Sequence, residues 1–198
     1  MSWEVLLQEY IKRPDFQIWL HAKTVEEELR KFVLSIVSNE IKILRNKILT
    51  SNESEALHIK TIKEAGITCT ECETPNLLEC PTSQFCKKTS GVCQKHGDVK
   101  SWCPKPCPLS LCDRFKRKLT RKHKFKSPCW ENTDAKCWAT SDFEVAKCFL
   151  PKTYVLKKSL SEVDTVGLLH ICINCKAFRV WISGWDQLDN TATQVICY

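Results

Sequence analysis

Apolar residues recur at Val25, Leu29, Phe32, Val33, Ile36, Val37, Ile41, Leu44 and Ile48. Their spacing of three and four residues is the period of one helix face, held for about seven turns. Thr24-Val-Glu-Glu27 stands before the run as a capping box, in which an N-cap oxygen and a glutamate three residues on satisfy free backbone donors reciprocally. Glu26, Glu27 and Glu28 suit the positive end of the helix dipole, and Arg45 and Lys47 the negative end. A short helix is expected before it, over Trp3 to Ile11 and stopped near Pro14, with Asp15 to His21 as a further helical turn. A weaker helix is expected over Glu53 to Ala65, ended by Gly66.

The helical period lapses at Ile67. From Cys69 to Cys137 the chain holds ten cysteines and six of its eight prolines. Such a segment buries too little apolar surface to fold without staples. Helix signals return at Ser141-Asp-Phe-Glu144, a second capping box, with Phe143, Ala146, Phe149 and Leu150 on one face and Pro151 as the stop. A third box, Ser159-Leu-Ser-Glu162, opens a segment running through Val163, Val166, Leu168, Leu169, Ile171 and Ile173 to Phe178. It is apolar on most sides and is expected to be buried. The pattern predicts a mainly α fold, a helical domain carrying a cysteine-rich, zinc-stapled insertion. The expected divisions are 1–66, N-terminal helices; 67–138, the cysteine-rich segment; 139–180, helices completing the domain; and 181–198, an irregular tail.

The 198 residues and 43% apolar content allow a real core. Fourteen cysteines make the redox compartment decisive. The opening MSWEVLLQEYIKRPDF places Glu4 and Glu9 within its only apolar stretch, so no signal-peptide core is expected. No apolar run is long enough to span a membrane. The expectation is a cytoplasmic or nuclear protein with reduced thiols, in which dense cysteines bind metal. A secreted disulfide protein, exported by an unconventional route, is the competing reading.

Cys69-Thr-Glu-Cys72 has the two-residue interval that lets two thiolates grip one tetrahedral zinc. A local partition would complete this site with two of Cys80, Cys86 and Cys93, and would build a second from Cys107, Cys112, His123 and Cys129. Both would be closed and structural. Several of these cysteines would equally serve as small buried hydrophobes. Cys172 and Cys175 share a face of a buried helix, where core packing is the better reading than redox chemistry. Trp130 and Trp138 are expected to seal the cysteine segment onto the helices, with Cys148 a passenger on the helix after Ser141.

The net charge is +7, and much of it falls between Arg114 and Lys126. Lys116, Arg117, Lys118, Arg121, Lys122 and Lys124 can neutralise phosphates, and Phe115 and Phe125 can stack on bases. A localisation signal is a second reading. The bland reading is a solvated helix face with Phe115 and Leu119 packed inward. No phosphate-binding glycine loop, HExxH or GxSxG occurs, and the five histidines show no catalytic pairing. No small-molecule substrate is inferred.

Three stretches together resemble an animal protein family whose human member carries only a chromosome X open-reading-frame designation. The first is Asp15 to Trp19 with the long helix bearing Phe32, Val33, Glu40 and Arg45. The second runs from Cys112 and His123 through Trp130, Asn132 and Trp138 to Glu144-Val-Ala-Lys-Cys-Phe149. The third is Asp164 to Phe178. The family has a cysteine directly after Trp-x-Asn, where this chain has Thr133, flanked by Cys129 and Cys137. It also continues past the Leu-Leu helix with an Arg-Asn-x-x-x-His element, which makes it similar to HEPN helical domains and implies RNA binding or cleavage. Arg179 here has no such histidine after it, and Arg117 with His123 lies in the basic stretch instead. The resemblance therefore implies a non-enzymatic protein. The expectation is an intracellular zinc-stabilised interaction module for a protein partner, with an RNA-associated HEPN-like protein as the alternative.

Overall fold

A computed structural model of the chain describes residues 10–50, 69–78 and 107–182. It is mainly helical, with no strand among the described residues. The expected helices at Trp3 and at Glu53, and the tail after residue 182, lie outside these residues apart from a helical Tyr10 and Ile11.

The first element, α1, runs over Pro14–Thr50 without interruption. It starts ten residues before the expected cap. Pro14 has the fixed φ of a first helical residue, and nothing between Asp15 and Lys23 breaks a helix. The separate turn at Asp15 to His21 and the main helix are thus one element. Thr24 is an interior residue whose Oγ1 donates to the Leu20 carbonyl (3.0 Å) rather than capping anything.

Only the C-terminal half of α1 enters the core, through Val33, Val37, Ile41, Leu44 and Ile48. Val25 and Phe32, expected on the buried face, are 66% and 63% exposed, and Leu29 is also exposed. Arg45 leaves the helix end to bind the Asp142 carboxylate and the Ala139 carbonyl, tying α1 to the helix that follows Ser141.

Three shorter helices precede and flank the core: α2, Thr74–Leu77; α3, Leu111–Lys122; and α4, Asp142–Lys147. Ser141 caps α4 by accepting the Glu144 N–H. The reciprocal half of the box is absent. The Glu144 carboxylate instead accepts the Asp134 N–H (2.7 Å) and pairs with Lys147. α4 therefore starts where expected, and its glutamate holds down the preceding loop.

The last helix, α5, spans Thr165–Asn174 and packs most extensively on α1. Its cap is Asp164, five residues beyond the expected Ser159, which opens only a 3-10 turn. The Asp164 carboxylate accepts both the Gly167 N–H and the Tyr154 hydroxyl, at 2.8 Å each. A carboxylate taking two donors outcompetes a serine hydroxyl for the start of the helix. Nor is α5 buried all round: Leu168, Ile171 and Cys172 are buried, while Val166 and Leu169 are exposed.

Candidate metal centre

The four sulfurs of Cys69, Cys72, Cys107 and Cys112 all lie within 4.8 Å of one another, and all four residues are buried. Cys69 and Cys72 come from the turn that leads into α2. Cys107 precedes α3, and Cys112 lies in its first turn. Ser110, with φ 54°, bends the chain sharply between the last two. That bend returns the α3 start to Cys107: the Ser110 N–H donates to the Cys107 carbonyl (2.8 Å), and the Cys107 N–H to the Asp113 carboxylate (2.6 Å).

The Cys69 and Cys107 sulfurs are 3.8 Å apart. With zinc–sulfur bonds of about 2.3 Å, a tetrahedral site has sulfurs about 3.8 Å apart. The separation is far beyond a disulfide bond of about 2.05 Å. All nine described cysteines are free thiols.

The electrostatics favour charge on one member. A hydrogen bond from Cys112 and the backbone N–H groups of Cys112 and Leu109 draw the Cys107 thiol down to about 5. Burial, with Cys69 and Cys107 close by, raises Cys72, and the bond to Cys107 followed by burial raises Cys112. Four thiolates this close repel one another unless a cation sits among them. A four-sulfur tetrahedral donor set fits zinc or iron, and backbone N–H groups aimed at a ligand sulfur are the outer support such sites use.

The centre is docked on the loop before α4. The Thr74 hydroxyl donates to the Thr133 carbonyl (2.8 Å) and accepts the Ala135 N–H (2.9 Å). Cys112 Sγ approaches the Ala135 carbonyl at 3.5 Å. Lys116 Nζ donates to the Leu77 carbonyl, joining α3 to the end of α2 (2.7 Å). Trp138 is fully buried at this junction and stands 5.5 Å from Trp130, ring centre to ring centre. Its Nε1 donates to Thr133 Oγ1 (2.8 Å), which donates in turn to the Glu144 carbonyl (2.7 Å). Thr133 is thus a polar knot in the junction, not a gap in a ligand set.

Among the described residues, the potential ligands group differently from the local partition. Cys107 and Cys112 join Cys69 and Cys72 in one cluster. His123 and Cys129 belong to no cluster of potential ligands among the described residues. His123 stacks flat on Phe149 (5.7 Å, 5°), and its Nδ1 accepts the Phe125 N–H. Cys129 is buried and donates its N–H to the Cys148 carbonyl. Cys80, Cys86 and Cys93 lie outside the described residues. Cys148, Cys172 and Cys175 are buried, with thiols pushed up first by burial, which is the behaviour of packing cysteines.

Burial, with Lys176 nearby, depresses the His123 pKa to about 4. An unfolded histidine titrates near 6.5. Between these values the unfolded chain takes a proton that the folded one refuses, so stability present above pH 6.5 is lost as pH falls toward 4. Denaturant unfolding at pH 7 and pH 5 should show wild type losing about 2 kcal/mol more than His123→Phe. Equal losses would mean that His123 takes up its proton in the folded state as easily as in the unfolded one.

Of the basic residues, Arg117, Arg121 and Lys122 are exposed, while Lys116, Lys118 and Lys124 are half-buried. Phe115 and Leu119 are fully buried, so Phe115 is a core residue and not a platform for bases. Phe125 is exposed. A cleft of about 540 Å³ beside α3 has an aliphatic floor including Ile43, Leu44 and Val180, with Lys47, Lys118, Lys122 and Lys176 among its lining. No helix of the described residues is long and apolar enough to cross a membrane.

No known family model, curated protein or solved structure matches this chain.

Proposed function

We propose that the chain is a non-enzymatic, intracellular interaction module whose fold is fixed by zinc at Cys69, Cys72, Cys107 and Cys112. The convergence of four buried sulfurs carries this reading. The zinc is structural: four protein thiolates fill its coordination sphere and leave no position for water or substrate. Its work is to hold the α2 turn against the start of α3, where Leu77, Leu111 and Phe115 are buried in the same core.

Metal analysis of protein purified without chelator tests it. At least one zinc per chain is expected. Less than that, or iron in its place, overturns the zinc assignment.

An RNA-associated role is the second reading, favoured by exposed Arg117, Arg121 and Lys122 beside exposed Phe125. It is the weaker reading because Phe115 is buried and the nearby cleft has aliphatic, not aromatic, walls on which bases do not stack. Binding of single-stranded RNA that falls steeply with salt would favour it. Weak binding indifferent to salt would remove it.

A further inference from the structure

The exposed half of α1 carries an ordered stripe. Ile18, Ala22, Val25, Leu29, Phe32 and Ile36 alternate at intervals of four and three, the spacing of a coiled-coil seam. Ile18 is 69% exposed, and Ala22, Val25, Leu29 and Phe32 are exposed with it; Ile36 is half-buried at the edge of the core. The stripe is rotated about 100° from the buried face of the same helix. Apart from Ile36, which packs against it, the core leaves the stripe unused.

We infer that this stripe pairs with the same stripe of a second copy of the chain, antiparallel, about a twofold axis near Glu27. This deepens the interaction-module reading and rests on it. The register is self-complementary. An antiparallel pair centred at Glu27 sets Ile18 against Ile36, Ala22 against Phe32, and Val25 against Leu29 of the other copy. Each layer then joins residues of matching combined size, the small Ala22 receiving the large Phe32. A parallel in-register pair would place Ala22 on Ala22 and Phe32 on Phe32, one layer hollow and one overfull. It would also bring both globular parts to the same end, whereas the antiparallel pair sends them to opposite ends. Glu26 and Glu28 flank the axis and face their own copies. Each is already neutralised on its own helix, by Lys23 (2.8 Å) and Lys31 (2.7 Å).

Sedimentation of the full chain with its metal bound tests the inference. A mass about twice 22.9 kDa is expected at about 100 µM, since a seam this short gives modest affinity. Leu29→Asp should give a monomer of unchanged helicity. Leu156→Asp, at a more exposed apolar residue off α1, should leave the dimer intact. Pro14 and Lys42 lie about 42 Å apart along α1, and Lys12 directly precedes its start, so Lys12 and Lys42 of one chain are too far apart for a short amine cross-linker. In the antiparallel dimer they come side by side, so mixed isotope-labelled copies should yield Lys12–Lys42 links between chains. A wild-type monomer, whether the stripe is covered by residues 1–9 or awaits a foreign protein, overturns the pairing. So do links from Lys12 to Lys12. The zinc content of the same sample is read separately, so loss of pairing and loss of metal are distinguishable.

Discussion

Withdrawing the metal with a strong chelator is expected to unfold the region around the four cysteines and to lower the melting temperature by roughly 20 °C or more. Structural zinc contributes about 10–16 kcal/mol in small sites, comparable to the whole stability of a typical domain at about 5–15 kcal/mol. Besides the sulfurs, these elements are held by the burial of Leu77 and a few hydrogen bonds. α2 has four residues and cannot persist alone. Cys69 and Cys72 reach the rest of the fold through Thr74, Lys116, the buried Leu77 and the sulfurs themselves. Without the cation four buried thiols remain, of which only Cys107 readily carries charge. Far-UV circular dichroism with and without chelator measures the effect. Cys107→Ser should reproduce it, whereas His123→Phe and Cys129→Ser should respond to chelator as wild type does.

The second large effect is expected at Trp138. Trp138→Ala should cost about 3–5 kcal/mol, because the largest fully buried side chain leaves a cavity between Phe115, Trp130 and the loop before α4. Trp138→Phe should cost less, about 1–3 kcal/mol, since it retains most of the packing but removes the donor to Thr133 Oγ1. Urea unfolding followed by circular dichroism distinguishes the two. Equal costs for Ala and Phe would mean that the indole's hydrogen bond, rather than its bulk, holds the junction. The Trp138→Ala chain should also release its metal more easily, because the Ala135 carbonyl that faces Cys112 sits in the same short loop.

The mainly helical fold was legible because its signals are local. The core face from Val33 to Ile48, the Ser141 cap and the inward turn of Phe115 and Leu119 follow from periodicity and capping chemistry alone. Boundaries were less legible where two caps competed. Thr24 has a capping sequence, but a helix already begun at Pro14 runs through it. Ser159 yields to Asp164, which takes two donors instead of one. Which side of a helix a core covers is tertiary information, so Val25, Leu29 and Phe32 read as core when they form a separate exposed stripe.

The four-cysteine cluster was legible in residue type and not in its grouping. Cys69-x-x-Cys72 announced itself, and proximity along the chain then drew the partition toward Cys80, Cys86 and Cys93. Closing a longer loop adds little cost, since each doubling of its length costs only about 0.6 kcal/mol. Nearness in sequence is therefore a weak guide to which cysteines meet. The available clue was Cys107-Pro-Leu-Ser-Leu-Cys112, two cysteines bracketing a turn that opens a helix. His123 misled because histidine among cysteines reads as a ligand, while in the fold its ring is spent on Phe149.

Cobalt titration of the reduced, metal-free chain is the most direct test of the four-cysteine centre. The account predicts strong sulfur-to-cobalt charge transfer and a tetrahedral visible spectrum. Both should be lost in each of Cys69→Ser, Cys72→Ser, Cys107→Ser and Cys112→Ser, and kept in His123→Phe and Cys129→Ser. A spectrum that survives Cys107→Ser unchanged, or one that is lost with His123→Phe, would contradict it.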